Sequence, residues 1–206
     1  MQPGFRLLPE QLDRPAQKAL LQEIAALLED APAYVPRMPK SGQPMSVQMT
    51  NCGPLGWMTD KEGGYRYQAT HPETGRPWPA MPQAVLDLWE AVAGYPHPPE
   101  ACLVNLYGEG CRMGLHRDMD EEDPVAPVVS LSLGDAALFR LGGPARKGPT
   151  RSVKLSSGDV VVLGGAARHC FHGVDRLYPN SSTLLEGFPV EGVRRVNLTL
   201  RRVTRP

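Results

Sequence analysis

From residue 101 onward the chain breaks into short β-like runs separated by glycine turns, and that rhythm leaves few architectures open. The runs cover 101–107, 113–116, 126–133, 136–141, 152–155, 159–163, 168–173 and 195–203, with turns at Gly134-Asp135, Gly142-Gly143-Pro144, Ser157-Gly158 and Gly164-Gly165. Many short, closely spaced strands build a sandwich or a jelly roll. The helical patterns come earlier and do not alternate with the strands, which argues against a doubly wound parallel sheet. The expected class is α+β, mainly β.

Two amphipathic stretches precede the strands. Residues 13–30 read as a helix with Asp13 as N-cap, Pro15 in the first turn and an apolar stripe of Leu20, Leu21, Ile24, Leu27 and Leu28; Pro32 ends it. A second helix spans about 82–93, with Pro82 in its first turn, Val85, Leu86, Trp89 and Val92 inward, and Gly94 as its stop. Between them, a segment punctuated by Pro32, Pro36, Pro39 and Pro44 leads to a strand pattern at Val47-Gln48-Met49-Thr50 and a turn at Cys52-Gly53-Pro54. Trp57, Tyr65 and Tyr67 then cluster around Gly63-Gly64. Three large aromatics among glycines suit a surface for flat rings, since a base stacked on an aromatic face gains ~1–3 kcal/mol. Packing within a hairpin is the plainer alternative.

With 206 residues, 41% hydrophobic and 21% charged, the chain has the size and make-up of one globular domain. No apolar run approaches the ~20 residues needed to cross a bilayer. The first residues lack the basic-then-apolar pattern of a secretory signal. Cys52, Cys102, Cys111 and Cys170 show no C-x-x-C spacing, so free thiols in a reducing cytoplasm are expected. Net charge is zero but unevenly spread: residues 1–100 carry 8 basic and 11 acidic side chains, residues 101–206 carry 14 and 11. Arg140, Arg146, Lys147, Arg151 and Lys154 follow one another with no acid between them. Such a run is either a solvated hairpin edge or a local strip for phosphate contacts.

The chemistry centres on His116-Arg117-Asp118. On an extended segment, residues two apart project from one face, so His116 and Asp118 point the same way. A histidine from a neighbouring strand would complete a two-His, one-carboxylate set, which leaves metal positions open and suits non-haem Fe(II). His169 and His172 both qualify, on opposite faces of their strand; His71 and His97, in proline-rich loops, are expected at the surface. In 195–201, Arg195, Asn197, Thr199 and Arg201 share one strand face, while Val196, Leu198 and Leu200 share the other. If the polar face is buried, its two guanidiniums require anions. If it faces solvent, the strand is an ordinary amphipathic one.

Taken in order, Asn105-Leu106-Tyr107, His116-Arg117-Asp118, His172-Gly173 and Arg195-Val196-Asn197-Leu198-Thr199-Leu200-Arg201 resemble the AlkB family of Fe(II)- and 2-oxoglutarate-dependent dioxygenases. The resemblance begins near Met45 and runs to Arg201. It implies a double-stranded β-helix core over 101–206, an N-terminal helical extension over 1–44 and a nucleotide-recognition lid over 45–70. It selects His172, with His116 and Asp118, as the Fe(II) ligands. Asn105, Tyr107, Arg195, Asn197 and Arg201 would bind 2-oxoglutarate, with Arg201 on the remote carboxylate and Arg195 nearer the metal-bound end. Trp57, Tyr65, Tyr67, Asp120 and Arg146 would contact substrate. The implied reaction is O2-dependent demethylation of 1-methyladenine and 3-methylcytosine in single-stranded DNA, or RNA, by a monomer with no membrane association. A dioxygenase acting on protein or a small molecule, or a non-catalytic module that binds modified nucleic acid, are the alternatives. The chain departs from the family pattern at Leu163, where a tryptophan near the co-substrate is expected, which bears on the shape of that cavity.

Overall fold

A computed structural model describes residues 2–206. Helix α1 (Arg14–Asp30) starts where Asp13 accepts a hydrogen bond from the Ala16 amide at 2.9 Å, and helix α2 is Gln83–Val92. Leu20, Leu21, Ile24 and Leu27 of α1 and Val85, Leu88, Trp89 and Val92 of α2 are buried. Each such side chain contributes ~1.5–3 kcal/mol relative to exposure. They pack on one face of a six-stranded sheet, meeting Val104, Leu106, Leu131, Leu133, Val196, Leu198 and Leu200.

That sheet contains β1 (Phe5–Leu8), β2 (Gln48–Cys52), β5 (Ala101–Gly108), β7 (Val128–Gly134), β10 (Val160–Leu163) and β12 (Val193–Arg201), in the order β1-β10-β7-β12-β5-β2. A four-stranded sheet, in the order β6-β11-β8-β9, consists of β6 (Met113–His116), β8 (Ala137–Leu141), β9 (Arg151–Leu155) and β11 (His172–Leu177). Strands β3 (Gly56–Asp60) and β4 (Gly64–Gln68) form a separate hairpin. Two apolar clusters join the sheets: one unites Val128, Val161 and Leu163 with Phe139, Leu141 and Leu155, the other Met49, Leu103 and Tyr107 with Ala137, Val174 and Leu177. The arrangement is the expected jelly roll.

Three expectations change. Phe5–Leu8 pairs with β10, so the N-terminal region contributes an edge strand as well as a helix. Gln48–Cys52 pairs with β5 inside the large sheet, which leaves 56–68 as the only part of 45–70 that stands apart. The strand expected at 168–173 begins at His172 and runs on to Leu177, because Gly165–Ala167 forms a 3-10 turn first. Among the described residues no helix is long and apolar enough to cross a membrane.

Candidate active site

The inner face of β12 is polar because the outer one is spent on the helices. Arg195, Asn197, Thr199 and Arg201 are all buried there. Asn197 lies opposite Asn105 on β5 and Ser132 on β7; Arg195 lies opposite Tyr107 and Gly134. The alternation read from sequence therefore sorts the strand as expected, with the polar face turned inward between the sheets.

Across the smaller sheet, His172 on β11 sits directly opposite His116 on β6. The glycine after it makes this approach possible: a Cβ at Gly173 would lie 2.5 Å from the Met113 carbonyl oxygen. His116, Asp118 and His172 offer ligand atoms that all fall within 4.8 Å of one another. Each histidine Nε2 is 3.9 Å from an Asp118 oxygen. The rings are oriented from behind, since Nδ1 of His116 faces the Gly114 carbonyl at 2.9 Å and Nδ1 of His172 faces that of Cys170 at 3.0 Å. Donation to those carbonyls places the ring proton on Nδ1 and leaves the Nε2 lone pairs free for a metal. Phe139 stacks on His172, with ring centroids 5.9 Å apart. Burial, aided by His116, lowers the His172 pKa to about 4, which keeps the ring in its neutral, ligating form. His169 stands outside this group. His71 is not at the surface: 1% exposed, it packs edge-on against Tyr34 and Trp78, and its Nδ1 accepts from the amides of Glu73 and Thr74.

Asp118 is held by Arg201, whose Nη2 and Nε lie 3.0 and 3.4 Å from its two oxygens. Burial alone would raise that carboxyl's pKa, but Arg201 and the two histidines outweigh it and hold the group well below the usual carboxylate range. Arg201 thus belongs to the metal end of the cavity, contrary to the expectation that it grips the remote carboxylate. Arg195 occupies the far end, six residues along the strand, or roughly 20 Å between Cα atoms. Its Nη1 donates to the Asp135 carbonyl at 3.0 Å and its Nη2 to Ser132 Oγ at 2.7 Å, while its Nε has no partner. Burial lowers its pKa to about 10 and raises that of neighbouring Tyr107 to about 12. Arg201 Nη1 and Asn105 Oδ1 are likewise buried without partners. Unpaired donors at both ends of one polar floor fit a dicarboxylate, because buried polar groups left unsatisfied are otherwise rare.

The β3–β4 hairpin is tied to the acidic segment that follows Asp118. Trp57, Thr59, Tyr65 and Tyr67 share one face of it. The Trp57 and Tyr65 rings stack, with centroids 5.7 Å apart. Trp57 Nε1 donates to Asp120 at 2.8 Å, and the Tyr67 hydroxyl to Glu121 at 2.5 Å. The His116 side chain is 41% exposed while those of His172 and Asp118 are 9% and 8% exposed, so the triad opens to solvent on the His116 side. Arg146 is exposed in the loop after β8 and pairs with no carboxylate among the described residues. Arg140, from the same basic run, is tied to Asp175 at 3.1 Å.

Sequence reading missed Arg168, Glu121, Ser132 and Asp135. In sequence Glu121 is only one of the acids crowded between Asp118 and Asp123, and nothing local marks Arg168 as buried. Leu163 is packed among Phe5, Val128 and Phe139, opposite Phe5 on β1.

Jelly rolls host many functions, so the class must come from the site. Two histidines and a carboxylate on such a scaffold, beside a cationic floor shaped for a dicarboxylate, define a non-haem Fe(II) oxygenase that uses a 2-oxo acid co-substrate. The sequence profile of the 2OG-Fe(II) oxygenase superfamily matches residues 4–201, and the chain belongs to that family. It is 56% identical over 200 residues to an alpha-ketoglutarate-dependent dioxygenase AlkB homolog of Caulobacter vibrioides, covering 97% of this chain and 88% of that one. It is 42% identical over 192 residues to alpha-ketoglutarate-dependent dioxygenase AlkB of Escherichia coli, covering 91% and 85%. The solved structure of OsALKBH1 superposes with a TM-score of 0.80 at 31% identity, over 98% of this chain and 99% of that one.

Proposed function

We propose that this protein oxidatively demethylates N-alkylated nucleobases, 1-methyladenine and 3-methylcytosine among them, in single-stranded DNA or RNA. The observation that carries the reading is the bond between Trp57 and Asp120: a stacking surface is fastened to an acid two residues from the triad. Stacking accepts any base, whereas a carboxylate at its edge favours a cationic one, and both methylated bases carry positive charge.

In this reading His116, Asp118 and His172 hold Fe(II), Arg195 grips the remote carboxylate of 2-oxoglutarate, and Asn105, Tyr107 and Asn197 line its flank. Bound iron, 2-oxoglutarate and O2 together supply oxidation of the methyl group, with succinate, CO2 and formaldehyde as products. The chain itself binds and orients. Arg201 fixes the Asp118 carboxylate and offers its free Nη1 to the near end of the co-substrate. Trp57 and Tyr65 stack the base, Asp120 faces its edge, and Arg146 provides a cation for a flanking phosphate. Tyr67 backs the stack through its bond to Glu121. The reading takes the protein as a monomer, and the four free cysteines support a reducing, cytoplasmic setting.

Single strands are favoured because extruding a base from a duplex costs a few kcal/mol. The test is release of succinate and formaldehyde from methylated single strands, matched duplexes, free nucleosides and methylated peptides. Faster turnover of methylated single strands than of duplexes is expected. Turnover confined to peptides or free small molecules would sink the nucleic-acid assignment while leaving the dioxygenase chemistry intact.

A further inference from the structure

Glu121 is the meeting point of three elements. Its side chain is 1% exposed, yet three groups converge on its carboxylate. Oε1 accepts from the Tyr67 hydroxyl on β4 and lies 3.3 Å from Arg201 Nε on β12. Oε2 accepts from Arg168 Nη2 at 2.9 Å, just past the 3-10 turn. Arg168, itself 2% exposed, also donates to the Asp118 carbonyl at 2.9 Å and to the Ala126 carbonyl at 2.8 Å. The carboxylate ligand is therefore braced twice: Arg201 holds its side chain and Arg168 its backbone, and both cations rest on Glu121.

Two acids and two guanidiniums cancel in this buried cluster, and a change to any one of them strands a charge away from water. Such a cluster is rigid once complete. Among the described residues its direct hydrogen bond to the hairpin comes from the Tyr67 hydroxyl, beside the bond that Trp57 makes to the adjacent Asp120. From these contacts we infer that Tyr67, Glu121 and Arg168 are positioning residues that couple the β3–β4 hairpin to the Asp118 carboxylate. Loading of the metal site then steadies the hairpin, and a base seated on the hairpin steadies Asp118 and Arg201 for turnover. The second half rests on the proposed nucleobase reading; the first half does not.

Glu121 and Arg168 are poor test positions, because their loss alone can unfold the domain. Tyr67→Phe removes one hydroxyl and keeps the ring. The first arm uses Mn(II), a divalent ion that binds without turnover, with 2-oxoglutarate, and follows amide hydrogen exchange. In the wild type, saturating Mn(II) and 2-oxoglutarate should slow exchange across residues 56–68 several-fold. In Tyr67→Phe that slowing should largely vanish. Equal protection in both proteins, or none in the wild type, would overturn the coupling whatever the substrate. The second arm measures succinate formed per formaldehyde with a methylated single-stranded oligonucleotide. The ratio should stay near one in the wild type and rise several-fold in Tyr67→Phe. An unchanged ratio with only a higher KM for the oligonucleotide would reduce Tyr67 to a ring contact and also overturn the coupling. Absence of formaldehyde in the wild type, with hairpin protection intact, would count against the nucleobase reading alone.

Discussion

At the scale of single residues, the two arginines of β12 divide their labour by what each already touches. Arg201 has carboxylate partners in Asp118 and Glu121, so burial does not isolate its charge, and its pKa stands above the ordinary value despite desolvation. Arg195 has only a carbonyl and a hydroxyl, and its Nε has no partner. A co-substrate carboxylate would complete it. Lysine keeps the charge at either position but loses the planar fork. Arg195→Lys should therefore raise the KM for 2-oxoglutarate by about 10- to 100-fold, the equivalent of ~1.5–3 kcal/mol for a charged hydrogen bond. Arg201→Lys should instead weaken Fe(II) binding, which a metal titration would report. Were the KM effect to fall on Arg201→Lys and spare Arg195→Lys, the roles drawn from sequence would be restored.

At the scale of elements, strand ends need fastening, and β12 is fastened through Glu100. That carboxylate, just before β5, accepts from the amides of Val203 and Thr204 at 2.9 and 2.7 Å and from the Thr204 hydroxyl at 2.7 Å. Burial pushes its pKa up, but the Thr204 and Val203 donors, with Arg202 nearby, outweigh that and hold it below its ordinary value. A depressed carboxyl pKa means that the unfolded chain binds more protons. The clasp thus stabilises fully above the ordinary Glu pKa of about 4.3 and loses its contribution as pH falls below that. Glu100→Ala should cost ~1–3 kcal/mol at pH 7, and the difference from wild type should shrink in acid. Denaturant unfolding at pH 7 and pH 4 would check both; an equal loss at both pH values would remove the clasp. Elements also show what sequence could and could not reveal. Helix α1 and the two faces of β12 were legible because their periodicity is local and burial obeys it. The β1 edge strand was not, since four residues reading Phe-Arg-Leu-Leu become a strand only when β10 is there to receive them. His71 was misread for a related reason: its burial depends on Tyr34, far back in the chain, and on Trp78, which only the intervening turn brings onto the ring. The triad was legible from spacing and resemblance together. Arg168 was not, because its importance lies in what it touches.

At the scale of the whole molecule, the jelly roll holds a ligand triad and a cationic floor between its two sheets. Anything that binds only the folded form stabilises it, by about 2.7 kcal/mol at a hundred times its Kd. For a domain of this size that amounts to a rise in Tm of roughly 5–11 °C. A redox-inert divalent cation with 2-oxoglutarate should produce such a shift in a thermal melt, and Arg195→Lys should lose most of the 2-oxoglutarate share. No shift in the wild type would mean that the floor does not bind the dicarboxylate. The placing of β12 has a consequence for how the molecule is made. It lies between β5 and β7, near the middle of the large sheet, although it is the last strand in chain order. A ribosome releases the chain from its first residue onward, so strands β1 to β11 emerge with a gap between β5 and β7 where the eventual centre of the sheet belongs. Both strands bordering the gap then offer unpaired backbone to any passing partner, and the helices have only part of their apolar platform. Nascent chains halted before residue 193 should be protease-sensitive and captured by chaperones, and those with residue 201 clear of the exit tunnel should be compact. Birth of the enzyme is thus delayed until the strand bearing both arginines has left the ribosome.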